Sequence, residues 1–132
     1  MSSQVPDAGL QPERNSSRSA ISNAIVRIHA QYYGRGPTRA RTHLSPDFAL
    51  VVLEEVFTPA ERTLIGAGQF AQVLNMRAAF QEVLRGEFVK AVEEISGRRV
   101  RAFMSQTNQD PEMAVELFIF EPNGDAEPPN GE

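Results

Sequence analysis

Gly34-Arg35-Gly36-Pro37-Thr38-Arg39-Ala40-Arg41-Thr42 is the stretch whose reading decides the fold. Upstream of it, Ile21, Ile25, Ile28 and Tyr32 recur at steps of four, three and four, the repeat of a single helix face. Gly34 suits the left-handed residue that follows a helix, and Pro37 forbids continuation. From Thr38 the period changes to two: Ala40, Thr42 and Leu44 fall on one side, Arg39, Arg41 and His43 on the other. The stretch therefore closes a helix, with Ser17 as its expected cap, and opens a strand.

Downstream, Ser45-Pro46-Asp47 reads as a turn, and Phe48 to Phe57 as the returning strand, with Val51, Val52 and Val56 supplying β-branched residues. Thr58-Pro59-Ala60-Glu61 starts a helix: threonine caps, proline takes the first helical position, and glutamate completes a capping box. Gly66 and Gly68 keep this helix short. A long helix follows, from about Gln69 to Ser96, closed by Gly97. Its apolar line is Phe70, Val73, Phe80, Leu84, Phe88, Val92 and Ile95, and Arg77 falls on that same line.

Arg99–Thr107 and Met113–Phe120 read as a second hairpin, joined by Asn108-Gln109-Asp110-Pro111-Glu112. The predicted architecture is α+β: a four-stranded antiparallel sheet made of two hairpins, with helices packed on one face. The alternation in the second hairpin assigns Val100, Ala102, Met104, Met113, Val115, Leu117 and Ile119 to one face. Arg99, Arg101, Phe103, Glu116, Phe118 and Phe120 take the other. Burying a phenylalanine stabilises by about 1.5–3 kcal/mol, so an uncovered face carrying Phe103, Phe118 and Phe120 is expected to be buried against another copy, as a homodimer, or against a partner protein. The alternative is cover from a tail or from arginine stems.

At 132 residues the chain is expected to be one domain. Residues 1–17 and 123–132 hold too little apolar material to offset ordering entropy and read as disordered tails around a single domain at 18–122. With no cysteine there can be no disulfide, thiolate nucleophile or Cys-ligated zinc. The net charge of −4 argues against general nucleic-acid binding while leaving local basic patches open. The start of the chain lacks the pattern of a secretory signal. The longest apolar run, Phe48 to Leu53, is far short of the roughly 20 residues a membrane helix needs. The expectation is a cytoplasmic protein without membrane insertion.

Gly66-Ala67-Gly68-Gln69-Phe70-Ala71 matches a dinucleotide-binding fingerprint in its letters only. That turn must join a strand to a helix, whereas here a capping box precedes it, so a helix-to-helix corner is predicted and no cofactor is expected. Gly34-Arg35-Gly36-Pro37 lacks the Gly-Lys-Ser/Thr ending of a phosphate loop, and Pro37 removes a donor amide. Arg35, Arg39, Arg41 and His43 remain candidates for an anion or an acidic partner, because guanidinium forks match oxyanions. The alternative is an edge strand kept soluble by charge. Arg77, on an apolar stripe, needs either a carboxylate partner, which Glu54 or Glu55 on the neighbouring strand could supply, or a route to solvent. Glu54 and Glu55 are adjacent in a strand and cannot form a dyad. His29 and His43 have no third ligand at metal spacing, and no serine sits in a nucleophile elbow. No enzyme and no metal site are expected.

The Gly34-Arg35-Gly36-Pro37 turn after a helix, the Arg39/Arg41 strand, Arg77 and the segment Val56-Phe57-Thr58-Pro59-Ala60-Glu61 together resemble the MpsC-like proteins. These are small bacterial proteins named for a sodium-translocating, membrane-potential-generating system. The likeness runs from about Ile21 to Glu121, with Glu54-Glu55 where a glycine is expected. It implies a non-enzymatic accessory or regulatory role beside a cation-coupled (sodium or inorganic-carbon) membrane transport system, peripheral to the inner face of the membrane. Docking would use the basic hairpin. The motif residues that can be pointed to are Gly34 to Pro37, Arg39 and Arg77. Two alternatives stay open: a nucleic-acid or small-anion binding module using Arg35, Arg39, Arg41 and Phe103, and an enzyme acting on a small anion through Arg77.

Overall fold

The first helix, α1 (Pro12–Tyr33), begins ahead of Ser17. Pro12 occupies the first helical position, where its missing N–H costs nothing, and this start signal outweighs the polar composition around it. Residues 12–17 therefore belong to the helix and not to a tail, and Ser17 lies within it. The computed structural model describes residues 12–122, with side chains from residue 16, so the tails expected over 1–11 and 123–132 lie outside the described residues. Gly34 closes α1 at φ +90°, its N–H bonded to Ala30 O at 3.1 Å. Gly36 lets the chain turn back against the helix: a Cβ there would sit 3.1 Å from both the side chain and the carbonyl oxygen of Val26.

There follow β1 (Arg39–Leu44), β2 (Phe48–Glu54), α2 (Pro59–Gly66), α3 (Phe70–Ser96), β3 (Val100–Asn108) and β4 (Met113–Phe120). The sheet order is β1-β2-β4-β3 and all pairs are antiparallel. β2 and β4 join the two hairpins at the centre, from Phe48 opposite Ile119 to Glu54 opposite Met113. Thr58 caps α2 with its hydroxyl on the Glu61 N–H, and Glu61 returns the bond to the Thr58 N–H. Gly68 (φ +79°) makes the corner between α2 and α3, as predicted, and Gly97 (φ +74°) ends α3.

Ile21, Ile25 and Ile28 of α1 and Val73, Leu84, Phe88 and Val92 of α3 roof one sheet face. Beneath them lie Ala49, Val51 and Leu53 of β2, Phe103 of β3, and Ala114, Phe118 and Phe120 of β4. Phe103 packs between Phe88 and Phe118, with ring centroids 5.8 and 5.0 Å away. This reverses the faces expected for the second hairpin. Phe103, Phe118 and Phe120 are 6%, 0% and 4% exposed, so they form the core and no dimer can use them. Arg101 misleads because a bulge between Val100 and Ala102 takes it out of phase. Glu116 misleads because it is itself buried, beside His29. The uncovered face instead carries Leu50, Val52, Val115, Leu117 and Ile119, all partly exposed, with Met104 at 52%.

Glu112, at the end of the β3–β4 turn, ties this hairpin to α2. Its carboxylate accepts the Phe57 N–H at 2.7 Å and Arg62 Nη2 at 2.9 and 3.1 Å.

Candidate functional site

The residues singled out in the sequence divide into three places. Arg39, Arg41 and His43 stand together on the outward side of β1, two residues apart and therefore about 7 Å from one to the next. All three are exposed, and among the described residues Arg39 has only a long contact to Glu54, 4.0 Å from Nε to Oε1. Their neighbours across the ladder belong to the uncovered face: Arg41 lies opposite Val52 and His43 opposite Leu50. The result is a cationic rim beside an apolar patch.

Arg35 does not join them. Its Nη1 donates to Phe57 O at 2.6 Å, fixing the turn after α1 to the segment before α2. Gly34, Gly36 and Pro37 are structural in the same sense, shaping the turn that brings Arg35 there. Arg77 lies on the opposite side of the sheet, inside the core. Its partner is Glu61, not Glu54 or Glu55, because the capping box already turns the Glu61 carboxylate inward. Arg77 Nη2 also donates to Val56 O at 2.8 Å, and its guanidinium lies 4.4 Å from the Tyr33 ring centroid.

Among the described residues no group of three or more His, Cys, Asp or Glu side chains could hold a metal ion. Nor, among them, is any helix long and apolar enough to cross a membrane.

A family profile described as "Na+-translocating membrane potential-generating system (MpsC)" matches residues 13–122. The chain belongs to the MpsC family. It is also 25% identical over 112 residues to the uncharacterized protein YbcI of Bacillus subtilis (strain 168), across 83% of this chain and 89% of that protein. No solved structure matches it. Within the MpsC domain, the motif residues noted above thus serve two ends: Gly34 to Pro37, Thr58 to Glu61 and Arg77 build the frame, while Arg39 and Arg41 face outward.

Sequence reading missed a second polar cluster, enclosed between α1, α3 and the sheet. His29 and Glu116 are each 1% exposed, with Nε2 and Oε2 3.5 Å apart. His29 Nδ1 lies 3.0 Å from Ile25 O, so it donates there and leaves Nε2 toward the carboxyl. Neither oxygen of Glu116 has a hydrogen-bond partner among the described residues, nor does Gln81 Oε1. Tyr33 stacks on His29 at 5.3 Å and takes a hydrogen bond from Gln81 Nε2 at 3.4 Å. Burial pushes the Tyr33 phenol up to about 12; the nearby Arg77 guanidinium opposes this and Glu116 adds to it. A usable signal existed for His29, which directly follows Ile28 on the buried stripe of α1. For Glu116 there was none, since an acid between apolar residues in a strand ordinarily faces water.

Proposed function

We propose that this MpsC-family chain is a non-enzymatic accessory component of a cation-coupled membrane transport system, held at the inner face of the membrane by docking to a protein subunit. The observation that carries the reading is the position of Arg39, Arg41 and His43 along the rim of an uncovered apolar sheet face. A surface of that composition fits an acidic protein patch with apolar residues behind it: the charges steer approach, and the apolar strip supplies buried area. Arg35 and Arg77 are occupied by the frame and take no part in docking.

A nucleic-acid partner fits less well. Affinity for phosphates grows with the number of cations presented, and this rim offers two arginines and a histidine on a chain of net charge −4. The deciding experiment is capture from native membranes in mild detergent, with the unaltered chain compared to an Arg39→Glu/Arg41→Glu variant. Recovery of integral transport subunits, identified by mass and lost on charge reversal, is the expected result. Recovery that survives reversal, or that consists of nuclease-sensitive RNA or DNA, overturns the proposal.

A further inference from the structure

We propose that the cleft between α1 and the open edge of β1 binds a phosphate group, whether of free phosphate or of a lipid headgroup. This does not rest on the docking role given to Arg39, Arg41 and His43; the two sites share Arg41 alone.

Ile21 and Ile25 lay α1 against the sheet, and the residues flanking that stripe meet β1. Ser22 comes within 2.8 Å of Thr42, hydroxyl to hydroxyl. Around this contact opens a cleft of about 490 Å³. Arg18, Ser19, Ser22 and Asn23 of α1 form one wall, and Arg41 and Thr42 of β1 the other. Arg18 and Ser22, like Ser19 and Asn23, stand four residues apart and so share one side of the helix across adjacent turns. Each of these side chains can donate a hydrogen bond, and among the described residues no carboxylate lines the cleft.

The strand adds a backbone donor. Ser45 N–H bonds Phe48 O at 2.8 Å, and the β1–β2 register continues from that pair with Leu44 opposite Ala49. Backbone bonding alternates along an antiparallel ladder, so Arg39, Arg41 and His43 bond β2 while Thr42 turns its N–H to the open edge, where the cleft lies. Thr42 is 5% exposed, and its contact with Ser22 uses one of two hydroxyl protons, leaving the other for a ligand. Arg41 has no ion pair among the described residues. Donors facing each other across two walls suit an anion whose oxygens point in several directions, and a guanidinium strengthens such bonds. Ala40 is the one apolar residue lining the cleft, so the carbon body of an organic acid finds no surface there, whereas a phosphate group needs none.

The test titrates the isotope-labelled full chain with inorganic phosphate while its amide resonances are followed. In parallel, the chain is sedimented with phosphatidylcholine vesicles that contain or lack phosphatidic acid. Saturable shifts centred on Ser22, Asn23 and Thr42 are expected. Asn23→Asp, at an exposed helix position, puts a like charge in the cleft and should weaken binding about tenfold. Gln109→Glu makes the same change in net charge in the β3–β4 turn, across the sheet, and should leave binding unchanged. Arg41→Gln should weaken binding as well, and Arg41→Lys should recover part of it. A response to inorganic phosphate assigns the site to the free anion; a response confined to phosphatidic acid, and lost in Asn23→Asp, assigns it to a lipid headgroup. No saturable response to either overturns the proposal. So does one that Asn23→Asp and Gln109→Glu weaken equally, or one whose shifts leave Ser22 and Thr42 unmoved.

Discussion

Arg77 and Glu61 meet as a fork inside the core: Nε lies 2.9 Å from Oε2 and Nη2 2.8 Å from Oε1, with side chains 3% and 5% exposed. Glu61 also caps α2, so one carboxylate holds the start of that helix and neutralises the cation beneath it. Removing one partner leaves the other charged and enclosed. Arg77→Ala or Glu61→Ala is therefore expected to cost about 3–5 kcal/mol of unfolding free energy in urea titrations. Arg77→Lys should recover little of it, because an ammonium cannot form the fork.

Thr58 isolates the other half of that arrangement. Thr58→Ala removes the hydroxyl from the Glu61 N–H and leaves the Arg77 fork in place. The expected loss is about 1 kcal/mol, read as a lower urea midpoint with an unchanged slope.

The His29–Glu116 pair should respond in the opposite way to double replacement. His29→Leu alone strips the buried carboxyl of the basic neighbour 3.5 Å away and is expected to cost about 3 kcal/mol. Adding Glu116→Leu removes the unpartnered oxygens as well, so the double variant should return to the parent's stability or exceed it. A double-mutant cycle by chemical denaturation measures the coupling directly.

Both tyrosines of the chain resist ionisation when folded. Burial raises Tyr33 to about 12, and the hydrogen bond of Tyr32 to Glu87 raises it too. A phenol raised in the folded state favours folding fully below its unfolded value of about 10 and loses that contribution as pH climbs through the folded one. Native phenolate absorbance should therefore lag behind that of the urea-unfolded chain. Tyr33→Phe should flatten the fall in stability between about pH 10 and 12.

Gly36 tests the turn after α1. Gly36→Ala places a methyl against the Val26 carbonyl, which belongs to a helix and cannot easily move. The expected cost is about 1–3 kcal/mol in thermal or urea unfolding.

The order of elements was legible because its punctuation is local: Gly34 before Pro37, the Thr58 capping box, Gly97 after Ser96. The corner at Gly66 to Gly68 followed from the same local rule. What could not be read was long-range. Period two states that Phe118 and Leu117 point in opposite directions, but only the partner of Glu116 decides which of them is inside. That partner, His29, lies on another element. The same holds for Arg77, whose need for a carboxylate was plain while the choice of Glu61 over Glu54 depended on how α2 meets α3. Of the basic residues, Arg39, Arg41 and His43 were correctly grouped by alternation. Arg35 was not separable from them without knowing that the Phe57 carbonyl comes within its reach.

The clasp made by Glu112 has a consequence for handling the molecule. Surface turns usually accept inserted tags or short peptides without penalty. The turn between β3 and β4 should not: displacing Glu112 frees the Phe57 amide and Arg62, loosens the approach to α2, and through it disturbs the Arg77 guanidinium held by the neighbouring Val56 carbonyl and by Glu61.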